Sequence, residues 1–332
     1  MSTYQVEKTT FDGQEALVLT DRSSGMSAIL LPGFGSNLIA WRMAQPEVKI
    51  LYEPNSMADL HTKAVGWGFP VLMPPNRIEA GRFTFEGREY KFEINEAGIN
   101  HIHGLVNKLP WQVRSISTEG GARVTTAIRS QDHPEILESY PHDFELRMTY
   151  CLRDNRLDIT VEAENLGEET MPFGIGFHPY FNVPLTTASD KSQCTVQVPA
   201  NQRWELTETC IPTGQKLPLE GKVDLRQPQA LDSVQLDDVY TDLQFTNGES
   251  VCTFVDHGSG LKLLYGADDQ FKHWVVFTGK TPDAPFVCLE PYTWVTNAPN
   301  LDLPREETGL IALAGGESFS GQMWLEITDQ LD

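Results

Sequence analysis

The chain has 332 residues, 40% hydrophobic and 21% charged, the balance of a soluble globular protein and far from the low-apolar composition of a disordered one. Its 46 acidic against 25 basic residues leave a formal net charge of -21, which argues against nucleic acid and anionic membrane surfaces as partners, since both need clustered Lys and Arg. No apolar run of about 18 residues marks a membrane-spanning helix, and Met1-Ser2-Thr3-Tyr4-Gln5-Val6-Glu7-Lys8 lacks the basic and apolar regions of an export signal, so a cytoplasmic protein is expected.

The first candidate strand is 28–31. It runs into Gly33-Phe34-Gly35-Ser36-Asn37-Leu38, where Leu38 stands in place of the third glycine of a dinucleotide fingerprint and no helix follows, so a tight turn is expected. A short helical turn is possible near Ser56–Leu60. Pro74-Pro75-Asn76-Arg77-Ile78 then places an amide and a guanidinium on a stiff loop, suited either to binding hydroxyls or to a surface ion pair. Phe83 and Phe85, the turn Glu86-Gly87, then Tyr90 and Phe92 read as a hairpin.

His101-Ile102-His103-Gly104 sets two imidazoles on one side of a strand, half of a metal site. A cupin-like site would add a glutamate where this chain has Asn107 and Lys108, so hydrogen-bonded histidines are the better expectation. After a strand at 123–128, Leu146, Met148, Tyr150 and Leu152 alternate, a turn falls at Asp154-Asn155, and Leu157, Ile159, Val161 and Ala163 alternate again. That is a long β-hairpin with one buried face per strand.

Gly176-Phe177-His178-Pro179-Tyr180-Phe181 holds a histidine among aromatic rings beside a proline, which would fix the imidazole and perturb its pKa; a buried structural histidine is the alternative. Leu236-Asp237-Asp238-Val239-Tyr240 brings two acids into a semi-apolar turn, an ordinary place for Asp. Further strands are expected at 194–198, 251–255, 261–265, 274–278, 286–289 and 319–327. In Val287-Cys288-Leu289-Glu290-Pro291-Tyr292-Thr293-Trp294 an apolar run delivers one carboxylate beside two aromatic rings and stops at a proline. Burial there would raise the pKa of Glu290 toward neutrality, as a general base requires, unless Glu290 only caps the strand and faces water.

With 26 Gly and 21 Pro as punctuation, many short strands and few short helices, the pattern is all-β: a large antiparallel sandwich over residues 1–332, with no linker dividing it. The cysteines at 151, 194, 210, 252 and 288 are widely spaced without Cys-x-x-Cys, so buried free thiols are expected rather than a disulfide framework or zinc knuckle. No Gly-x-Ser-x-Gly elbow is present for a serine nucleophile.

Taken in order, Asn76-Arg77-Ile78, Gly81-Arg82-Phe83, Gly87-Arg88-Glu89-Tyr90, Ile102-His103-Gly104 with Trp111, Gly176 to Asn182, Asp237-Asp238-Val239-Tyr240 and Leu289-Glu290-Pro291 resemble the aldose 1-epimerase (galactose mutarotase) family over most of the chain. The resemblance implies a β-supersandwich and an isomerase that interconverts the α and β anomers of a free aldohexose such as glucose or galactose without a cofactor or metal. It implies Glu290 as the base that takes the C1 hydroxyl proton and His178 as the acid that protonates the ring oxygen. It matches His103, Arg77 and Asp237 to sugar-binding positions. Asn76 joins them, Asp238 could replace Asp237, and His101 has no firm counterpart. Tyr180, Phe181, Tyr292 or Trp294 would cover the sugar's C–H face unless they belong to the core.

A hexose-6-phosphate mutarotase is the alternative, with Arg77, Arg82 and Lys108 as a phosphate grip, although the Trp-Pro-x-Phe-Gly type of segment of those enzymes is absent around Met73–Arg77. A non-catalytic sugar-binding protein on the same fold is the second alternative. A polysaccharide lyase or glycosidase would need a second carboxylate at the reacting bond. Monomer and homodimer both remain open.

Overall fold

The computed structural model describes residues 3–329. The chain folds as the expected all-β supersandwich, built from antiparallel ladders with only short helices such as Met57–Thr62, Pro134–Ser139 and Arg305–Thr308 among the described residues. Ser56 caps the first of these through its hydroxyl. None of the helices is long and apolar enough to cross a membrane.

A meander, Tyr4–Phe11 to Val48–Lys49, forms a five-stranded sheet. The hairpin Phe144–Arg153/Arg156–Asn165 turns at Asp154-Asn155 as read from the alternation, and its inward residues Leu146, Met148, Tyr150 and Leu152 are fully buried. It sits inside a nine-stranded sheet next to Ser318–Asp329. An eight-stranded sheet carries Asp237–Leu243, His273–Phe277 and Phe286–Tyr292 side by side.

These two large sheets share one apolar core. Trp274 and Phe181 on the eight-stranded sheet meet Tyr265 of the nine-stranded sheet, with ring centroids 5.1 and 6.0 Å apart, and the Trp274 indole N–H donates to Ser250 across the interface at 3.1 Å. Because successive side chains on a strand point to opposite faces, the residues between those core positions face away from the core. The row Asp237, Phe277, Cys288, Tyr180 and the row Val239, Val275, Glu290 therefore share the other face.

The strand Phe286–Tyr292 does not stop at Pro291 as the sequence suggested; it runs through it. Phe286 to Cys288 pair with Tyr180–Asn182, and Tyr292 pairs with Gly176, so no ladder partner is formed on that side between Leu289 and Pro291. A proline is tolerated where its missing N–H has nothing to donate to. Gly33–Leu38 is the tight turn expected: Gly35 has a φ of +65°, and a Cβ on it would run into the Asn107 carbonyl.

Candidate active site

The pairs Gly176 with Tyr292 and Tyr180 with Cys288 belong to one register. Continued across the gap, that register sets His178 opposite Glu290. The ladder is interrupted there because Pro179 and Pro291 cannot donate, and the His178 N–H turns instead to the Pro70 carbonyl at 3.1 Å. The two side chains meet on the face away from the core, with His178 Nε2 3.3 Å from Glu290 Oε1. Glu290 is 1% exposed and His178 6%. Tyr180 stacks on the imidazole at 4.6 Å and an interplanar angle of 10°, and its hydroxyl donates to the Val65 carbonyl at 3.1 Å. The imidazole is thus held by the Tyr180 ring on one face and by the carboxylate at its Nε2 edge.

Burial disfavours charge on either partner. It raises the Glu290 pKa well above the usual carboxylate range, a shift opposed by the Tyr292 hydrogen bond and by Arg77 and reinforced by Asp237. It lowers His178 to about 3, with Lys63 and Arg77 adding to the depression. The pair therefore holds one proton between them over a wide pH range. The Tyr292 hydroxyl donates to Glu290 Oε2 at 2.5 Å. Tyr292 stands two residues on from Glu290, hence on the same face, and lies across Gly176, where any Cβ would collide with its ring.

A second wall is built by the loop around Arg77. Trp294 Nε1 donates to the Pro75 carbonyl at 3.2 Å, His103 N–H to the Asn76 carbonyl at 3.0 Å and Asn297 N–H to the Arg77 carbonyl at 2.9 Å. Arg77 is clasped by Glu96, Nη2 to Oε1 at 2.8 Å and Nε to Oε2 at 2.9 Å, and its Nη1 donates to the Asn76 amide oxygen at 3.2 Å. His103 approaches His178 edge-on at 5.3 Å. Burial pushes its pKa well down, and its Nδ1 has no hydrogen-bond partner among the described residues. Gly104, next to it, has a φ of +71°, and a Cβ there would strike the Met73 carbonyl.

Asp237 lies on the same face as Glu290 and lines the cleft; its carboxylate accepts from the Cys210 thiol at 3.7 Å. Asp238 points to the other face, where it pairs with Arg203 at 2.9 Å. His101 is buried with Nδ1 directed at the Glu93 carbonyl, 2.8 Å away, and packs on Phe92. Phe181 and Trp294 belong to the core, whereas Tyr180 lines the cleft.

All six residues expected from the sequence, Asn76, Arg77, His103, His178, Asp237 and Glu290, line one cleft of about 650 Å³. Its rim adds Lys63, Lys108, Lys280, Glu93, Glu96, Glu135 and Glu138. Sequence reading missed the donor role of Tyr292, the clasp by Glu96 and Phe277 in the wall. Tyr292 carried a signal, its two-residue spacing from Glu290. Glu96 and Phe277 carried none, because only the fold brings them there. The arrangement can take a proton at one oxygen and deliver one at another: a carboxylate and an imidazole face the same space, with amide and guanidinium donors and the Asp237 carboxylate around them. His178, Cys288 and Glu290 also bring ligand atoms within 4.8 Å of one another.

The family model for aldose 1-epimerase matches residues 16–326. The chain is 28% identical to galactose mutarotase of Sus scrofa over 281 residues, 78% of each chain, and 27% identical to the protein YphB of Escherichia coli over 296 residues, 86% of this chain and 90% of that one. A galactose mutarotase-like protein from Clostridium acetobutylicum superposes with a TM-score of 0.92 at 27% identity, covering 98% of this chain and 99% of that one.

Proposed function

Because the chain belongs to the aldose 1-epimerase family, we propose that it is a mutarotase that interconverts the α and β anomers of a free aldohexose such as glucose or galactose by opening and reclosing the sugar ring. The observation that carries this reading is the buried contact between Glu290 and His178, 3.3 Å apart in the floor of the cleft. Mutarotation moves only protons. One group must take the C1 hydroxyl proton while another gives a proton to the ring oxygen, and each such transfer contributes on the order of 10²–10⁴-fold.

When the sugar binds, the proton of the pair moves from Glu290 to His178. The carboxylate, supported by the Tyr292 hydroxyl and the Arg77 charge, then accepts from the C1 hydroxyl, and the imidazolium donates to the ring oxygen. The ring opens, the aldehyde carbon rotates about its bond to C2, and reversal of both transfers closes the other anomer. Arg77, His103, Asp237 and Asn76 hold the remaining hydroxyls, which supplies orientation. Neither step consumes a cofactor.

A free sugar fits better than a phosphorylated one. Arg77 is already clasped by Glu96, Arg82 pairs with Glu89 at 3.8 Å outside the cleft, and the lysines of the rim are interleaved with four glutamates. The test is polarimetry of freshly dissolved α-D-glucose, α-D-galactose, arabinose, xylose and glucose 6-phosphate. Acceleration with a free hexose is expected, with a drop of about 10²-fold or more in Glu290→Gln at unchanged circular dichroism. Full activity in that variant would remove Glu290 from the mechanism. No acceleration with any sugar would favour a binding protein.

A further inference from the structure

Cys288 stands two residues before Glu290 on the same face of the strand and opposite Tyr180. Nothing in proton transfer requires a thiol there. Its ligand atom lies within 4.8 Å of those of both Glu290 and His178, and all three residues are buried. Other titratable groups gather less well. Cys210 donates to Asp237 but joins no group of three ligand atoms among the described residues. In the groove around Arg123, Arg153, Arg156 and Trp324 on the nine-stranded sheet, Arg153 and Arg156 are already paired with Asp158 and Glu326.

We propose that Cys288, His178 and Glu290 form a binding site for a thiophilic divalent cation of the zinc class, and that such an ion competes with the sugar for the cleft. Tetrahedral zinc with bonds of about 2.0–2.1 Å to nitrogen and oxygen holds those two atoms about 3.3 Å apart, which matches the observed 3.3 Å between His178 Nε2 and Glu290 Oε1. A Zn–S bond of about 2.3 Å places the sulfur roughly 3.6 Å from the other ligands, so from a separation within 4.8 Å the thiol needs to close by about 1.2 Å at most. The charges balance as well. A dication with one thiolate, one carboxylate and one neutral imidazole is electrically neutral, so it can be buried without a further counter-ion. The fourth position would face the cleft, open to water or a sugar hydroxyl. On binding, the thiol proton and the proton of the Glu290–His178 pair leave to solvent, and both groups lose the lone pairs that proton transfer uses.

The binding stands independently of the mutarotase reading, whereas the inhibition rests on it. The experiment is titration of the purified, chelator-treated protein with Co²⁺ as a spectroscopic probe, followed by displacement with Zn²⁺. One equivalent giving a thiolate-to-cobalt charge-transfer band is expected, abolished in Cys288→Ser and retained in Cys210→Ser. In the polarimetric assay Zn²⁺ should inhibit competitively with sugar, be reversed by chelator, and need at least about tenfold more metal in Cys288→Ser. If Cys288→Ser does not fold, suppression of the wild-type band by His178→Asn decides the same question. A protein that gives no thiolate band, or a band unaltered by both substitutions, overturns the site whatever the sugar assay shows. A band without any mutarotase activity would retain the site and refute the function.

Discussion

Replacing Tyr292 with Phe removes one hydroxyl and keeps the ring that lies across Gly176; that hydroxyl donates to Glu290 Oε2 and also meets the Asn76 side chain. Hydrogen bonds to a charged group are worth about 1.5–3 kcal/mol. The bond favours the carboxylate anion, so without it the Glu290 pKa, already raised by burial, rises further. In the proposed mechanism, activity needs the pair to carry one proton. On the acid side the second proton adds to His178 only near pH 3, because burial depresses it. On the alkaline side the last proton leaves Glu290. The variant should therefore keep its acid limb and move its alkaline limb to higher pH. On the plateau, kcat should fall by about 10–150-fold because the reactive anion is less populated. KM should change little, since Tyr292 is fully buried and Asn76 keeps its two bonds to Arg77 when the Tyr292 hydroxyl is lost. The assay is polarimetry at saturating and limiting sugar across the pH range. An unchanged alkaline limb with unchanged kcat would refute the argument that this hydroxyl tunes the base.

Asp237→Asn should raise KM through weakened binding of a sugar hydroxyl while leaving the melting temperature near that of the parent. Asp238→Ala should do the reverse: it leaves the half-buried Arg203 without its partner, costing about 1–3 kcal/mol in denaturant unfolding with KM unaltered. Gly104→Ala places a side chain at a φ of +71° against the Met73 carbonyl. A loss of more than about 1 kcal/mol in stability is expected, together with a higher KM because His103 moves with the loop; wild-type melting and kinetics would contradict the account of that turn.

Much of the fold was legible along the chain because alternation is a local property. The strand pair around Asp154-Asn155 and its buried parity needed no tertiary information. Phe286–Tyr292 was harder: the proline suggested an end, and the strand continues because it stays paired with His273–Phe277 on its other side, where Pro291 faces Trp274. The six residues named from the sequence, chosen by type and order, line one cleft, but their relations to one another were not legible. Asp237 and Asp238 are adjacent and chemically identical, and only the register with Phe277 and Val276 directs one to the cleft and the other to Arg203.

By itself the sequence marked the strands that alternate cleanly, such as Phe144–Arg153 and Arg156–Asn165, and which acids, imidazoles and guanidinium groups are available for chemistry, whereas Asp237–Leu243, expected as a turn, is a strand. Tertiary structure alone decided that His178 faces Glu290 although 111 residues lie between them in the chain: the register of two strands sets them opposite, and two prolines open the ladder at that point. It also decided their proton affinities. A pKa shift of this kind comes from the water excluded and the charges gathered around a group, and those are supplied by residues the local sequence does not contain.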